Sequence, residues 1–274
     1  MVWDTAWRHG APKLRAIPYD NRRPHSPIQE ITGSWLIALI LLLLGGTPAA
    51  ATCVDASTLA HSTVSITRYF AEDEKKAESD LLGIRGTAWF SSPTSMVTVE
   101  HVAAAMGLAD RNWRQVEILD GENRQTIDVR LVRLAGSHSE KIALLELRTA
   151  FSGAQGLQIR TETLSSEEQV VALAYPDNRQ RFVGGRFVKY GDSDQLAGTA
   201  LFEIFEGDNR LVLDHGASGA PVLDCEGRVV AVVSNIFTQT LQFPSRAIRI
   251  STAWGSPNVA SVPIQVLQEF SQAQ

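Results

Sequence analysis

A chain of 274 residues with 44% hydrophobic side chains can bury a full core, and its length suits one two-lobed unit better than several independent domains. Its formal net charge of −5 opposes a phosphate backbone, which excludes nucleic acid as an expected partner. His61, His138 and His215 lack the cysteine or carboxylate spacing of a metal site, and Gly184-Gly185 lacks the pattern of a nucleotide loop, so no metal and no cofactor are expected.

In chain order, residues 1–32 hold five basic and three acidic side chains, 35–44 are apolar, and 45–51 read Gly-Gly-Thr-Pro-Ala-Ala-Ala. A basic leader, a short apolar stretch and an Ala-x-Ala ending read as a secretory signal peptide cleaved near Ala51. A retained signal anchor is the alternative, although the apolar run is shorter than the roughly 20 residues that a spanning helix needs. Either reading puts the globular part outside the cytoplasm: periplasmic, secreted, or facing the periplasm on an anchor, with an uncleaved leader as the one route to membrane attachment. Without residues 1–51 the chain holds 20 basic and 27 acidic side chains, a net charge of −7.

From residue 64 onward, short β-rich runs alternate with turn clusters, the pattern of a sandwich or barrel. The first set comprises 64–66, 87–90, 96–99, 116–119, 127–132 and 142–147, with Asp120-Gly121-Glu122-Asn123 as a hairpin turn. The second comprises 170–174, 182–190, 200–205, 211–213, 222–224 and 229–233. The loop-rich stretch 149–164 separates them and predicts lobes over 52–155 and 156–274. The charged run 73–80 reads as a solvated surface segment. Residues 265–270 predict a short C-terminal helix.

Two segments carry chemistry. Gly216-Ala217-Ser218-Gly219-Ala220-Pro221 sets a serine in a glycine-flanked turn, where its hydroxyl can reach a substrate carbonyl while the amides of Gly216 and Ser218 face the oxygen that becomes negative. Upstream, Gly86-Thr87-Ala88-Trp89-Phe90 and Met96-Val97-Thr98-Val99-Glu100-His101-Val102-Ala103-Ala104 read as two strands and then a histidine opening a short helix. Either segment alone is an ordinary turn or strand end.

In this order, with His101 and Ser218 117 residues apart, they resemble the trypsin-like (chymotrypsin-fold) serine proteases, whose marks are Thr-Ala-Ala-His or Thr-x-x-His-Val and a later Gly-Asp/Asn-Ser-Gly-Gly-Pro. The resemblance covers residue 64 to the C-terminus and implies two antiparallel β-barrels flanking a cleft, with a short C-terminal helix on the second. It implies a serine endopeptidase acting on peptide or protein, with His101 as general base, Ser218 as nucleophile, and the Gly216 and Ser218 amides as oxyanion hole. Val212 aligns with the base of the primary specificity pocket, Ser234 with the strand that pairs with an extended peptide, and His215 stands where it can touch substrate. Ala217 replaces the aspartate that pairs with a new N-terminus in pancreatic-type enzymes, so the site resembles the Deg-type and bacterial trypsin-like peptidases instead.

The family's triad aspartate opens a strand reading Asp-Ile-Ala-Leu-Leu, and here Glu140-Lys141-Ile142-Ala143-Leu144-Leu145 puts Lys141 in its place. Loss of that acid costs about 10⁴-fold in turnover. Glu140 could supply the carboxylate if a bulge re-aims it, because a one-residue shift otherwise turns it to the opposite face. Alternatively Glu140 and Lys141 form a solvated charge pair, and the protein is a non-catalytic pseudoprotease that binds peptide outside the cytoplasm. Cys53 and Cys225 both fall in the exported part, where an oxidising compartment permits a disulfide closing 172 residues; two unpaired thiols are the other possibility.

Overall fold

A computed structural model of the chain describes residues 53–71, 82–136, 141–191, 198–204, 213, 215–236, 238–243, 246–253, 257–263 and 266, with the backbone alone from 235 to 253. The leader 1–51, most of the expected strand 211–213 and all but Val266 of the expected helix 265–270 lie outside these residues.

The architecture is all-β. Strands β1 (Thr63–Tyr69), β2 (Gly83–Ser92), β3 (Ser95–Val99), β4 (Arg114–Asp120), β5 (Asn123–Ala135) and β6 (Ile142–Leu147) close into a barrel in the order β1-β2-β3-β6-β5-β4, with α1 (Glu100–Ala105) between β3 and β4. Strands β7 (Gln169–Ala174), β8 (Arg181–Tyr190), β9 (Ala200–Ile204), β10 (Pro221–Leu223), β11 (Val229–Ile236) and β14 (Val259–Pro263) close a second, in the order β10-β11-β14-β9-β8-β7. Every strand pair in both is antiparallel. Closure leaves neither sheet an open edge.

Side-chain period explains which strands were easy to see. Along β5, Ile127, Val129 and Leu131 are buried while Asp128 and Arg130 are half-buried, the alternation of a strand with one face on a core. Strands facing the other barrel behave differently. On β7, Val170 and Ala172 enter the second core, whereas Val171 and Leu173 join the apolar layer continuous with the first. Burial on both faces makes such strands read as unbroken apolar runs.

Three strands were not expected from sequence. β12 (Thr238–Phe243) and β13 (Arg246–Ala253) form a separate two-stranded ribbon. β14 closes the second barrel by pairing with β11 and β9, although its five residues end in Pro263 and its partners lie far away in sequence. The longest uninterrupted chain between barrels runs from Leu147 to Gln169, touched by strand pairing only where Ile159 bridges Val229.

Cys53 and Cys225 form a disulfide across 172 residues, and the Val54 amide donates to the Cys225 carbonyl at 3.0 Å. Cys225 sits in the turn between β10 and β11. There the buried Asp224 carboxylate accepts from the Glu226 and Arg228 amides at 3.0 and 2.9 Å and from the Arg228 guanidinium at 2.8 Å. The segment leading into the first barrel is thereby tied to a rigid turn of the second. In the chain-entropy account, closing a loop of this length stabilises by up to roughly 5 kcal/mol. Replacing both cysteines by serine lowers the unfolding free energy by about 2–5 kcal/mol in a urea titration; an unchanged midpoint would contradict a stabilising bridge.

Candidate active site

Ser218 lies in a turn pinned at several points. The Ala220 amide donates to the Ala217 carbonyl at 2.9 Å, the Gly219 amide to the Val233 carbonyl at 2.8 Å, and the Val233 amide back to the Ala220 carbonyl at 2.8 Å. Ala217, Gly219 and Ala220 are buried, and Ser218 is half-buried. Gly216 and Gly219 stand at φ 98° and 93°, in the left-handed region that a side chain disfavours. Among the described residues, neither the Gly216 nor the Ser218 amide donates a hydrogen bond. The Ser218 hydroxyl donates to the Ser234 carbonyl on β11 at 3.2 Å.

His101 is exposed on α1, a helix of only six residues. So short a helix needs help from outside. Its end is a Schellman closure: the Leu108 amide donates to the Ala103 carbonyl at 3.0 Å, the Gly107 amide to the Ala104 carbonyl at 2.9 Å, and Gly107 takes φ 70°. The buried guanidinium of Arg68 donates to the Met106 carbonyl at 2.9 Å, a cation at the negative end of the helix.

Three residues of the first barrel bring these two parts together. A Cβ on Gly86 would lie 2.6 Å from Val102 Cγ1 and 3.4 Å from the Ser218 carbonyl oxygen, so the residue after His101 and the backbone of Ser218 flank one glycine. Thr87 donates its amide to the Ser218 carbonyl at 2.9 Å and its hydroxyl to the Gly216 carbonyl at 2.6 Å, and accepts the Tyr175 amide at 3.1 Å. Thr98, three residues before His101, donates its hydroxyl to the Thr87 carbonyl at 2.8 Å. Gly219 rests on both threonines so closely that a Cβ would meet the Thr87 carbonyl at 2.0 Å and Thr98 Oγ1 at 2.3 Å.

A second seam supports the first. Tyr175, Pro176, Asp177 and Asn178 turn between β7 and β8 with Asp177 and Asn178 at φ 52° and 60°, and the Tyr175 carbonyl would lie 3.1 Å from a Cβ on Gly216. Asn178 accepts the Ser65 hydroxyl at 2.8 Å, and the Gly121 amide donates to the Tyr175 phenol at 3.2 Å. Burial, and the nearby Asp120 carboxylate, push that phenol above its ordinary pKa despite the Gly121 bond, so it stays protonated.

Of the residues predicted from sequence, Ser218, Gly216 and Ser234 meet in one place, with exposed His215 beside Gly216. Glu140 and Val212 lie outside the described residues. The Lys141 ammonium lies 3.4 Å from the Glu100 carboxylate, and the Glu100 amide donates to the Lys141 carbonyl at 2.8 Å. The β3–β6 ladder therefore runs regularly through Val99 and Ile142 to this point. Sequence reasoning missed Thr87, Thr98, Tyr175 and Asn178. The Pro-Asp-Asn turn signal was present, but nothing local said what the turn would touch.

The model of a family described as the trypsin-like peptidase domain matches residues 86–232, more than half of the chain and inclusive of His101 and Ser218. No curated protein matches the sequence. Among solved structures, the active form of the Rv3671c protease from M. tuberculosis is similar at 18% identity and a TM-score of 0.53, over 81% of this chain and 85% of that one. Deg5 is similar at 15% identity and 0.51, over 78% and 88%. The HtrA-type protease AlgW, solved with a tripeptide, is similar at 17% and 0.52, over 80% and 61%. At such identities the likeness is one of fold.

The contact at Gly219 makes a direct test of the crossing. Gly219→Ala combines a positive φ with a backbone clash and lowers stability by about 2–4 kcal/mol. Gly184→Ala, where nothing lies within 4 Å of the new methyl, changes it by less than about 0.5 kcal/mol. Equal melting temperatures for the two variants would remove the tight approach.

Proposed function

The chain belongs to the trypsin-like peptidase domain family, and on that premise we propose that it is an exported serine endopeptidase. Ser218 Oγ attacks the carbonyl carbon of the scissile peptide bond as His101 takes its proton. The negative oxygen of the tetrahedral adduct is held by the Gly216 and Ser218 amides. His101 then gives the proton to the departing amine, leaving an acyl group on Ser218, and water releases it by the same steps with His101 again as base.

The observation that carries this reading is the shared glycine at residue 86, which Val102 and the Ser218 carbonyl both approach. That approach supports reading His101, the residue before Val102, and Ser218 as partners in one site. Neither oxyanion amide donates to another described group, as a site that awaits a developing charge requires. The comparisons give no support to the non-catalytic alternative.

Glu140 is the carboxylate we assign to orient the imidazole. It precedes Lys141, whose carbonyl takes the Glu100 amide beside His101, and the Glu100 carboxylate offsets the Lys141 ammonium that would otherwise oppose an imidazolium. Ser234 lies on the strand assigned to pair with an extended substrate, and reaching it requires the Ser218 hydroxyl to leave the Ser234 carbonyl. Val212 and His215 are assigned to substrate contact. Export rests on the leader pattern in 1–51 and on the Cys53–Cys225 disulfide, which an oxidising compartment preserves.

A fluorophosphonate probe forms a covalent adduct on Ser218 of the native chain, and Ser218→Ala removes it. An unlabelled but folded native chain would end the proposal. His101→Ala lowers turnover of labelled casein on the order of 10⁶-fold, as does Ser218→Ala, with no further loss in the double variant. Glu140→Gln costs about 10⁴-fold; an unchanged rate takes Glu140 out of the mechanism. N-terminal sequencing of protein recovered outside the cytoplasm reads from near Thr52, and a chain still beginning at Met1 contradicts cleavage.

A further inference from the structure

The Ser218 amide belongs to the middle one of three peptides that neighbouring groups hold in turn. Within a peptide plane the carbonyl and the N–H point in opposite directions, so fixing one fixes the other. The middle peptide, Ala217–Ser218, has its carbonyl on the Ala220 amide at 2.9 Å, which turns the Ser218 N–H outward from the turn. The peptides on either side, Gly216–Ala217 and Ser218–Gly219, both give their carbonyls to Thr87: one to its hydroxyl at 2.6 Å, the other to its amide at 2.9 Å.

The amide bond is available to any residue at position 87, but the hydroxyl bond is not. A hydroxyl has one proton to donate, and the Thr87 proton goes to Gly216. Its accepting side takes the Tyr175 amide at 3.1 Å, which leaves the rotor one satisfied orientation. Thr87 is fully buried, so no water replaces either bond. Gly216, at φ 98°, is the residue of this arc with the widest backbone freedom, and its carbonyl is where the hydroxyl acts.

We infer that Thr87 is a positioning residue for the oxyanion-binding amides: its hydroxyl, itself oriented by the Tyr175 amide, holds the Gly216–Ala217 peptide, the link that joins the peptide bearing the Gly216 N–H to the one bearing the Ser218 N–H, and so keeps those two N–H groups aimed at one point. The first barrel thus supplies a part of the second barrel's oxyanion site without touching substrate. This rests on the reading of Ser218 as nucleophile.

Two readouts on the full chain test it. In the first, fluorophosphonate labelling is resolved into a maximal rate and an apparent binding constant for the native chain, Thr87→Val and Thr87→Ser. Thr87→Val keeps shape but removes both hydroxyl bonds, and the maximal rate falls about 10²-fold while binding changes less than about twofold. Thr87→Ser recovers the rate to within about threefold of native. A native maximal rate in Thr87→Val, a loss confined to binding, or a serine variant as slow as the valine one overturns the inference.

The second readout is amide hydrogen exchange, which holds whether or not the native chain labels and so separates this inference from the nucleophile assignment. Thr87→Val speeds exchange in 215–220 and 175–178 and leaves the strands of both barrels unchanged. Native exchange in those two segments overturns the inference. If the valine variant does not fold, Thr87→Cys, with a weaker donor, gives about a tenfold loss of maximal rate and the same local pattern of exchange; native values for both overturn it.

Discussion

Two closed barrels leave polar backbone at their junction that neither sheet can satisfy internally, and Thr87 is where that need is concentrated. Its amide, carbonyl and hydroxyl are all bonded, to Ser218, Thr98, Gly216 and Tyr175. An orphaned buried polar group costs more than a hydrogen bond returns, so the junction has one low-energy arrangement. That arrangement places the Ser218 loop against the strands leading into α1. The geometry of the cleft follows from satisfying backbone groups as much as from any side chain that performs chemistry.

Charge around the cleft follows the same logic of local pairing. The Lys141 ammonium faces Glu100, an acid one residue before His101. The pair is about a third exposed, so its contribution to stability is small, on the order of 1 kcal/mol or less. Its consequence is electrostatic: the Glu100 carboxylate offsets the Lys141 ammonium. In the turn between β10 and β11, Asp224 and Arg228 stiffen the chain that carries Cys225, and the disulfide passes that stiffness to the segment that enters β1.

Much of the fold was legible in advance because half-buried strands advertise themselves. Alternation in β5, the Asp120-Gly121-Glu122-Asn123 turn, and apolar runs bounded by glycine identified eleven of the twelve barrel strands, most to within a few residues. β14 escaped because five residues ending in proline carry no strong local signal and are made a strand only by β9 and β11. The ribbon of β12 and β13 was not expected from its own residues.

The sequence alone determined the residue types that chemistry demands and the spacing that keeps them apart: a serine in a glycine-flanked turn, a histidine after a strand, two cysteines 172 residues apart. Those features are local, and local rules of turn geometry and strand period suffice to find them. Only the tertiary structure decided that Thr87 reaches Gly216, that Tyr175 braces it, that Lys141 turns to Glu100, that Gly86 lies against the Val102 side chain, and that Gly219 lies against the Thr87 backbone. Most of these are meetings of segments about 40 or more residues apart, and a close approach leaves no mark in a sequence except a missing side chain.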